Sequence, residues 1–234
     1  MEKVVHRSKD RGVGEHGWLS TRYSFSFANW YDPARMGFGA LRVINDDTIA
    51  PAQGFGTHAH EDMEIITLVM SGTLTHEDSL GNRGSIPAGD VQTMSAGTGV
   101  QHSERNDSAT EPLRLFQMWI LPHTYDAAPR YGQQSFGNDA TPGITLLVGP
   151  DGTEGALPIY QDAYLSRAVI DELHQLTYRL HDPAHGVYVF VIEGTVNVAE
   201  ETLGSRDAIG LRDAEEVMLT SVTPATVLIF EVPL

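Results

Sequence analysis

Two short segments hold the residues of this chain that could do chemistry. Thr57-His58-Ala59-His60 carries two imidazoles two positions apart, and Gln101-His102-Ser103-Glu104 carries an imidazole and a carboxylate at the same spacing. On an extended strand, residues i and i+2 project from one face. Two such strands in one barrel can bring His58, His60, His102 and Glu104 to a common point. Three imidazoles and a carboxylate make a complete mononuclear metal site. The donor set suits Fe, Mn, Co, Ni, Cu and Zn alike; we expect one divalent transition ion. Four protein ligands on an octahedral ion leave two positions for a substrate oxygen, dioxygen or water. The competing reading, ordinary core-polar or surface histidines, fits a lone histidine better than two same-face pairs in glycine-rich segments.

The elements that must position these residues read as strands. Apolar runs are short and bounded by turn residues, as in Glu64 to Ser71, Thr73 to His76, Leu115 to Leu121, Ile144 to Val148, Val187 to Glu193 and Val227 to Val232. Helical periodicity is weak; Asp171 to Gln175 reads as a turn or a short helix. Gly54, Gly56, Gly97 and Gly99 flank the two candidate ligand segments.

Composition narrows the chemistry further. The 234 residues include no cysteine, so disulfides, iron–sulfur clusters and zinc-thiolate sites are excluded. A net charge of −16 repels nucleic acid and anionic membranes, and no Lys/Arg cluster offsets it. The N-terminal residues lack an apolar signal-peptide core, and no apolar run reaches membrane-spanning length. A cytoplasmic location is the resulting expectation.

The chain repeats itself. Val69-Met70-Ser71-Gly72-Thr73-Leu74 resembles Val191-Ile192-Glu193-Gly194-Thr195-Val196, and Leu80-Gly81-Asn82-Arg83 resembles Leu203-Gly204-Ser205-Arg206. The offset drifts by one residue, which suggests a duplicated β unit. Carried across, the His58/His60 pair falls near Leu180 to Pro183, where His181 has no histidine two positions away. The His102/Glu104 pair falls near Pro224 to Thr226, which has no ligand. The polar stretch between Tyr131 and Pro142, including Gln133, Gln134, Asn138 and Asp139, is the expected boundary. This gives a metal-binding unit over residues 1–132 and a unit without a metal site over residues 133–234.

These residues carry a family resemblance. Gly54, His58, His60, Glu64 and Gly72 resemble the first cupin motif, with a shorter gap before His58 and one extra residue before Gly72. Gly81, Pro87 and Gly89 resemble the start of the second motif, whose histidine is delayed here to His102, with Asn106 following. That delay, through Met94-Ser95-Ala96-Gly97-Thr98-Gly99, resembles pirins and bacterial pirin-like proteins. So do Gly17-Trp18-Leu19, Phe25 through Pro33, and Gly37-Phe38 followed by Leu41 through Asp47. The resemblance is close over residues 12 to 130 and loose beyond. It implies an all-β bicupin, two jelly-roll-like β-barrels packed together, with the metal held in the N-terminal one by His58, His60, His102 and Glu104. It also implies opening of the flavonol quercetin by dioxygen, with one carbon lost as carbon monoxide. Other relatives are iron-dependent regulators that act on transcription through a protein partner, which makes iron the leading expectation for the ion, and fold alone does not choose between these roles.

Within that resemblance, Glu104 carries two expected roles, metal ligand and general base toward a flavonol hydroxyl. Typical cupins use the glutamate at position 64 as a ligand; in the pirin pattern Glu104 takes its place, and Glu64 would then hold an imidazole tautomer. His76 reads as a rim or loop residue. His6, His16, His123, His174 and His185 lack a same-face partner and read as structural or exposed. Phe25, Phe27, Trp30 and Tyr31 are expected to pack the N-terminal segment against the barrel, with lining of an aromatic pocket as the alternative. Met94 and Met118 read as core. The leading expectation is a metal-dependent dioxygenase with a small aromatic substrate and O2 as partners, without nucleic acid or membrane. A non-catalytic redox regulator is the alternative, and a sugar-active cupin isomerase a weaker third.

Overall fold

The computed structural model describes residues 1–137 and 141–234. It is all-β: twenty strands and one short 3-10 turn, Ser8–Asp10, with no α-helix among the described residues. No helix there is long and apolar enough to cross a membrane. The expected strands are present and mostly longer than their apolar runs. Glu64–Ser71 has the expected bounds, whereas Val187 to Glu193 extends to His185–Val198 and Val227 to Val232 to Glu216–Pro233. Asp171 to Gln175 is a turn, with Leu173 at φ 60° and the next strand starting at Gln175.

Strands of the N-terminal part form two sheets. One is seven-stranded, in the order Arg130–Ser135, Asp90–Ser95, Glu64–Ser71, Leu113–Ile120, Leu41–Ile49, Leu19–Tyr23, Gly12–Glu15. The other is four-stranded, in the order Gly54–His60, Val100–Asn106, Thr73–Asp78, Arg83–Pro87. A nine-stranded sheet carries the C-terminal part. It also takes in Glu2–His6, paired antiparallel with Ala208–Arg212, so the chain start is built into the far unit. The polar stretch read as the boundary begins as a ladder strand, because Gln133 and Gln134 pair with Gln92 and Val91. Asn138 and Asp139 lie outside the described residues.

The repeated glycines do the same work in both halves. Gly72 and Gly194 adopt φ of 83° and 87°, a left-handed conformation that disfavours any residue with a Cβ. Period-2 alternation on Glu64–Ser71 sends Ile66 and Leu68 into a core shared by the two units. That core also holds Phe116, Met118, Phe190 and Phe230. Phe116 and Phe190 meet edge to face across it at 5.5 Å. The other face of the strand looks into the N-terminal barrel, where Ile65 packs with Met94 and Val100, and Val69 with Leu74 and Leu115. Between them, Thr67 is the polar step on that inner face, hydrogen-bonded to Glu104.

Candidate metal centre

Val100–Asn106 is the strand that organises the site. Val100, His102, Glu104 and Asn106 point inward and are buried, while Gln101 and Arg105 are exposed. His102 lies opposite His58 on one neighbour and opposite Asp78 on the other; Glu104 lies opposite Phe55 and His76. Between these rungs Gly54–His60 spends three residues where its partner spends two, a bulge that re-aims the histidine pair. Gly54 is forced by the same closeness, since a Cβ there would stand 2.2 Å from the Glu104 carbonyl oxygen.

Three imidazoles converge. The ring centroids of His58 and His60 are 4.8 Å apart, those of His58 and His102 4.4 Å, and those of His60 and His102 5.0 Å. One nitrogen from each lies within 4.8 Å of the other two. Burial, reinforced by the neighbouring imidazoles, lowers the His60 pKa to about 4 and that of His102 to about 3. Both are therefore neutral lone-pair donors at neutral pH, the form a metal requires. His58 Nδ1 is 2.8 Å from the Gly56 carbonyl, to which it donates, leaving Nε2 free to ligate. His102 Nε2 is fully buried with no hydrogen-bond partner. A buried, unpartnered ring nitrogen beside two further imidazoles fits a cation and is costly without one. The donor set is that of a single divalent transition ion.

Glu104 sits deeper. It groups with His102 and His76 within the same 4.8 Å limit, so the expected four residues, with His76 as a fifth, fall into two triads that share His102. It is about 1 % exposed, and burial raises its pKa to about 7 against hydrogen bonds that favour the anion. Gln117 Nε2 donates to it at 2.7 Å and the Thr67 hydroxyl at 3.5 Å. Trp119 Nε1 in turn donates to Gln117 Oε1 at 3.3 Å, and its ring meets His60 edge-on at 5.1 Å. Gln117 therefore ties the buried carboxylate to the wall beside the outermost histidine. Asn45, Gln117, Thr67 and Gln92 follow one another across the ladder beneath Glu104, and Asp47 lies one pair away.

Two readings of the sequence require correction. Glu64 holds no imidazole: it accepts a 2.5 Å hydrogen bond from Ser95 and faces the side of its strand that carries Ile66 and Leu68. It starts a new strand after Asp62, whose φ of 45° breaks the two-residue alternation from His60. His76 is not on a rim. It is fully buried in Thr73–Asp78, its Nδ1 is 3.5 Å from His102 Nδ1, and Tyr131 stacks on it at 4.9 Å. The alternation of Leu74 and His76 on one strand face was the signal available. Phe25 and Met118 pack in the shared core, and Met94 packs with Ile65 inside the N-terminal barrel. Phe27, Trp30 and Tyr31 instead line an open recess of about 360 Å³ that ends on Trp119. A second recess of about 360 Å³ opens beside His60, between Glu61, Ser79 and Gln101.

With this geometry in view, the comparisons with known proteins are consistent. The family model described as Pirin matches residues 5–120, and that described as the quercetinase C-terminal cupin domain matches residues 146–232. A protein named quercetin 2,3-dioxygenase from Escherichia coli is 42% identical over 229 residues, 98% of each chain. A protein named pirin-like from Caulobacter vibrioides is 42% identical over 222 residues, 94% of this chain and 95% of its own. The crystal structure of the bacterial pirin YhhW from Escherichia coli in complex with nickel(II) superposes with a TM-score of 0.94 at 41% identity. It covers 99% of both chains. The two family models place one cupin unit in each half of the all-β architecture.

Proposed function

The chain belongs to the pirin family, and on that footing we propose that it is a metal-dependent dioxygenase that opens a flavonol such as quercetin with O2. One carbon leaves as carbon monoxide. The observation that carries this reading is the convergence of His58, His60 and His102, with an unpartnered Nε2 on His102, beside the buried Glu104 carboxyl. The names of the relatives supply the substrate class.

In this reading His58, His60, His102 and Glu104 hold the ion. A bound divalent ion would supply Lewis-acid orientation of a substrate oxygen and a redox-capable centre for dioxygen. The protein's own part is positioning and proton handling. Glu104 is also the group that takes the proton of the flavonol hydroxyl, which makes the substrate an electron-rich anion. Gln117, fixed by Trp119, keeps that carboxyl aimed at the site. The apolar wall of Ile65, Met94 and Val100 keeps bulk water from the reacting ring. The half-buried faces of His58 and His60 leave the approach open from the recess beside His60.

The test is oxygen uptake with quercetin on metal-stripped protein reconstituted separately with Fe, Mn, Co, Ni or Cu, with His102→Ala as control. Metal-dependent uptake abolished by the substitution supports the reading. Stoichiometric metal binding without uptake by any of the five contradicts it and favours a redox regulator with a protein partner.

A further inference from the structure

The C-terminal unit carries a second convergence of ligand-type side chains. We propose that Asp162, Asp182 and His185 form a divalent-cation site of their own, one that takes a first-row ion such as Mn(II) or Zn(II). One ligand atom from each lies within 4.8 Å of the other two. Asp162 is exposed and Asp182 half-buried, whereas His185 is 5 % exposed.

The case rests on what surrounds His185. Its Nδ1 is 3.1 Å from Glu231 Oε1. Glu231 is wholly buried and receives the Tyr178 hydroxyl at 2.8 Å, His181 Nδ1 at 2.8 Å, and the backbone N–H groups of His181 and Asp182 at 2.8 and 3.0 Å. Every one of those contacts is a donor, so Glu231 is a carboxylate that accepts, and His185 must present Nδ1–H to it. Nε2 then faces outward. It makes no hydrogen bond among the described residues and meets Asp162 Oδ2 at 3.8 Å. Asp182 commits Oδ1 to the Ala184 N–H at 2.8 Å, which leaves its other oxygen available.

Three ligand-type atoms thus face one another, with Asp162 also accepting from the Tyr164 hydroxyl, and a carboxylate behind the imidazole fixes its Nδ1–H. That is the arrangement in which protein imidazoles bind metal. Two carboxylate oxygens and one imidazole nitrogen suit Mn(II) and Zn(II), with water completing the coordination. A net charge of −16 concentrates cations around the chain. Asp182 also falls in Leu180 to Pro183, the stretch that the internal repeat aligns with His58-Ala59-His60. The rival state is a doubly protonated His185 bridging Glu231 and Asp162 with no ion.

The experiment is equilibrium dialysis of the metal-stripped full chain against Mn(II). It compares wild type, the pair His58→Ala with His60→Ala, and the pair Asp162→Asn with Asp182→Asn. Asparagine keeps the acceptor that Asp182 offers Ala184, and both aspartates reach the surface, so the fold is not at stake. Two ions per wild-type chain and one in each paired variant are expected. In the His58/His60 variant, the remaining Mn(II) should broaden the His185 ring signals in NMR spectra. One ion in wild type, an unchanged count in the aspartate variant, or unbroadened His185 signals would overturn the proposal.

Discussion

Glu104 and His76 face each other across a single rung between Val100–Asn106 and Thr73–Asp78, both buried. His76 therefore stands behind His102, on the side away from the other two imidazoles. With Tyr131 stacked on it and Asp78 at 3.4 Å from its Nε2, it is a fixed wall against which the His102 ring is set. Supports of this kind typically contribute 10- to 100-fold in metal affinity. His76→Ala should weaken Ni(II) binding by about that factor in a calorimetric titration, with the fold retained by circular dichroism. Unchanged affinity would show that His102 needs no such support.

Gln117 is predicted to act through Glu104. In Gln117→Leu the carboxyl loses its 2.7 Å donor and Trp119 loses its acceptor. Quercetin turnover should fall by at least about tenfold, in keeping with the cost of a lost charge-assisted hydrogen bond, while the bound-metal count stays the same. Loss of metal together with activity would instead make Gln117 a structural support for the whole centre.

Asp47 sets a pH signature on stability. Burial raises its pKa to about 7, with the neighbouring Asp46 carboxylate adding to the rise. Between the unfolded value near 4 and about 7 the native chain holds the extra proton, so this group makes stability fall as pH rises through that window. The full penalty is present above pH 7 and amounts to as much as about 4 kcal/mol. Asp47→Asn removes it. Urea unfolding of the metal-free protein should show the variant more stable than wild type at pH 8 and nearly equal to it at pH 4. The reverse order would place an ionised, well-solvated carboxylate at position 47.

The shared core predicts joint unfolding. Phe116 is fully buried, meets Phe190 at 5.5 Å and lies under the Arg206 guanidinium at 5.1 Å. Phe116→Ala should cost about 3–5 kcal/mol and lower a single transition seen by both fluorescence and circular dichroism. Two separated transitions would mean that the units do not depend on each other.

The parts of this molecule legible in the sequence are those written as short-range patterns. The i, i+2 spacing of His58/His60 and His102/Glu104 survives into the structure because the strands are extended there. The repeat of Gly72 and Gly194 marks the same left-handed turn twice. What escaped depends on register or on breaks in alternation. Glu64 has the parity of a ligand on paper, yet Asp62 resets the phase and turns it toward Ser95. His76 looked isolated because its partners, His102 and Tyr131, are 26 and 55 residues away and meet it only through strand pairing. The long C-terminal strands exceed their apolar runs because the ladder resumes past irregularities at Glu193 and Thr195, where polar residues such as Asn197 and Thr220 pair.

The measurement that most directly tests the central claim is the simultaneous quantification of dioxygen consumed and carbon monoxide released during quercetin turnover by the metal-reconstituted protein. The account predicts one carbon monoxide per dioxygen, with both falling to background in His102→Ala. Dioxygen uptake without carbon monoxide, or equal rates in wild type and His102→Ala, would contradict it.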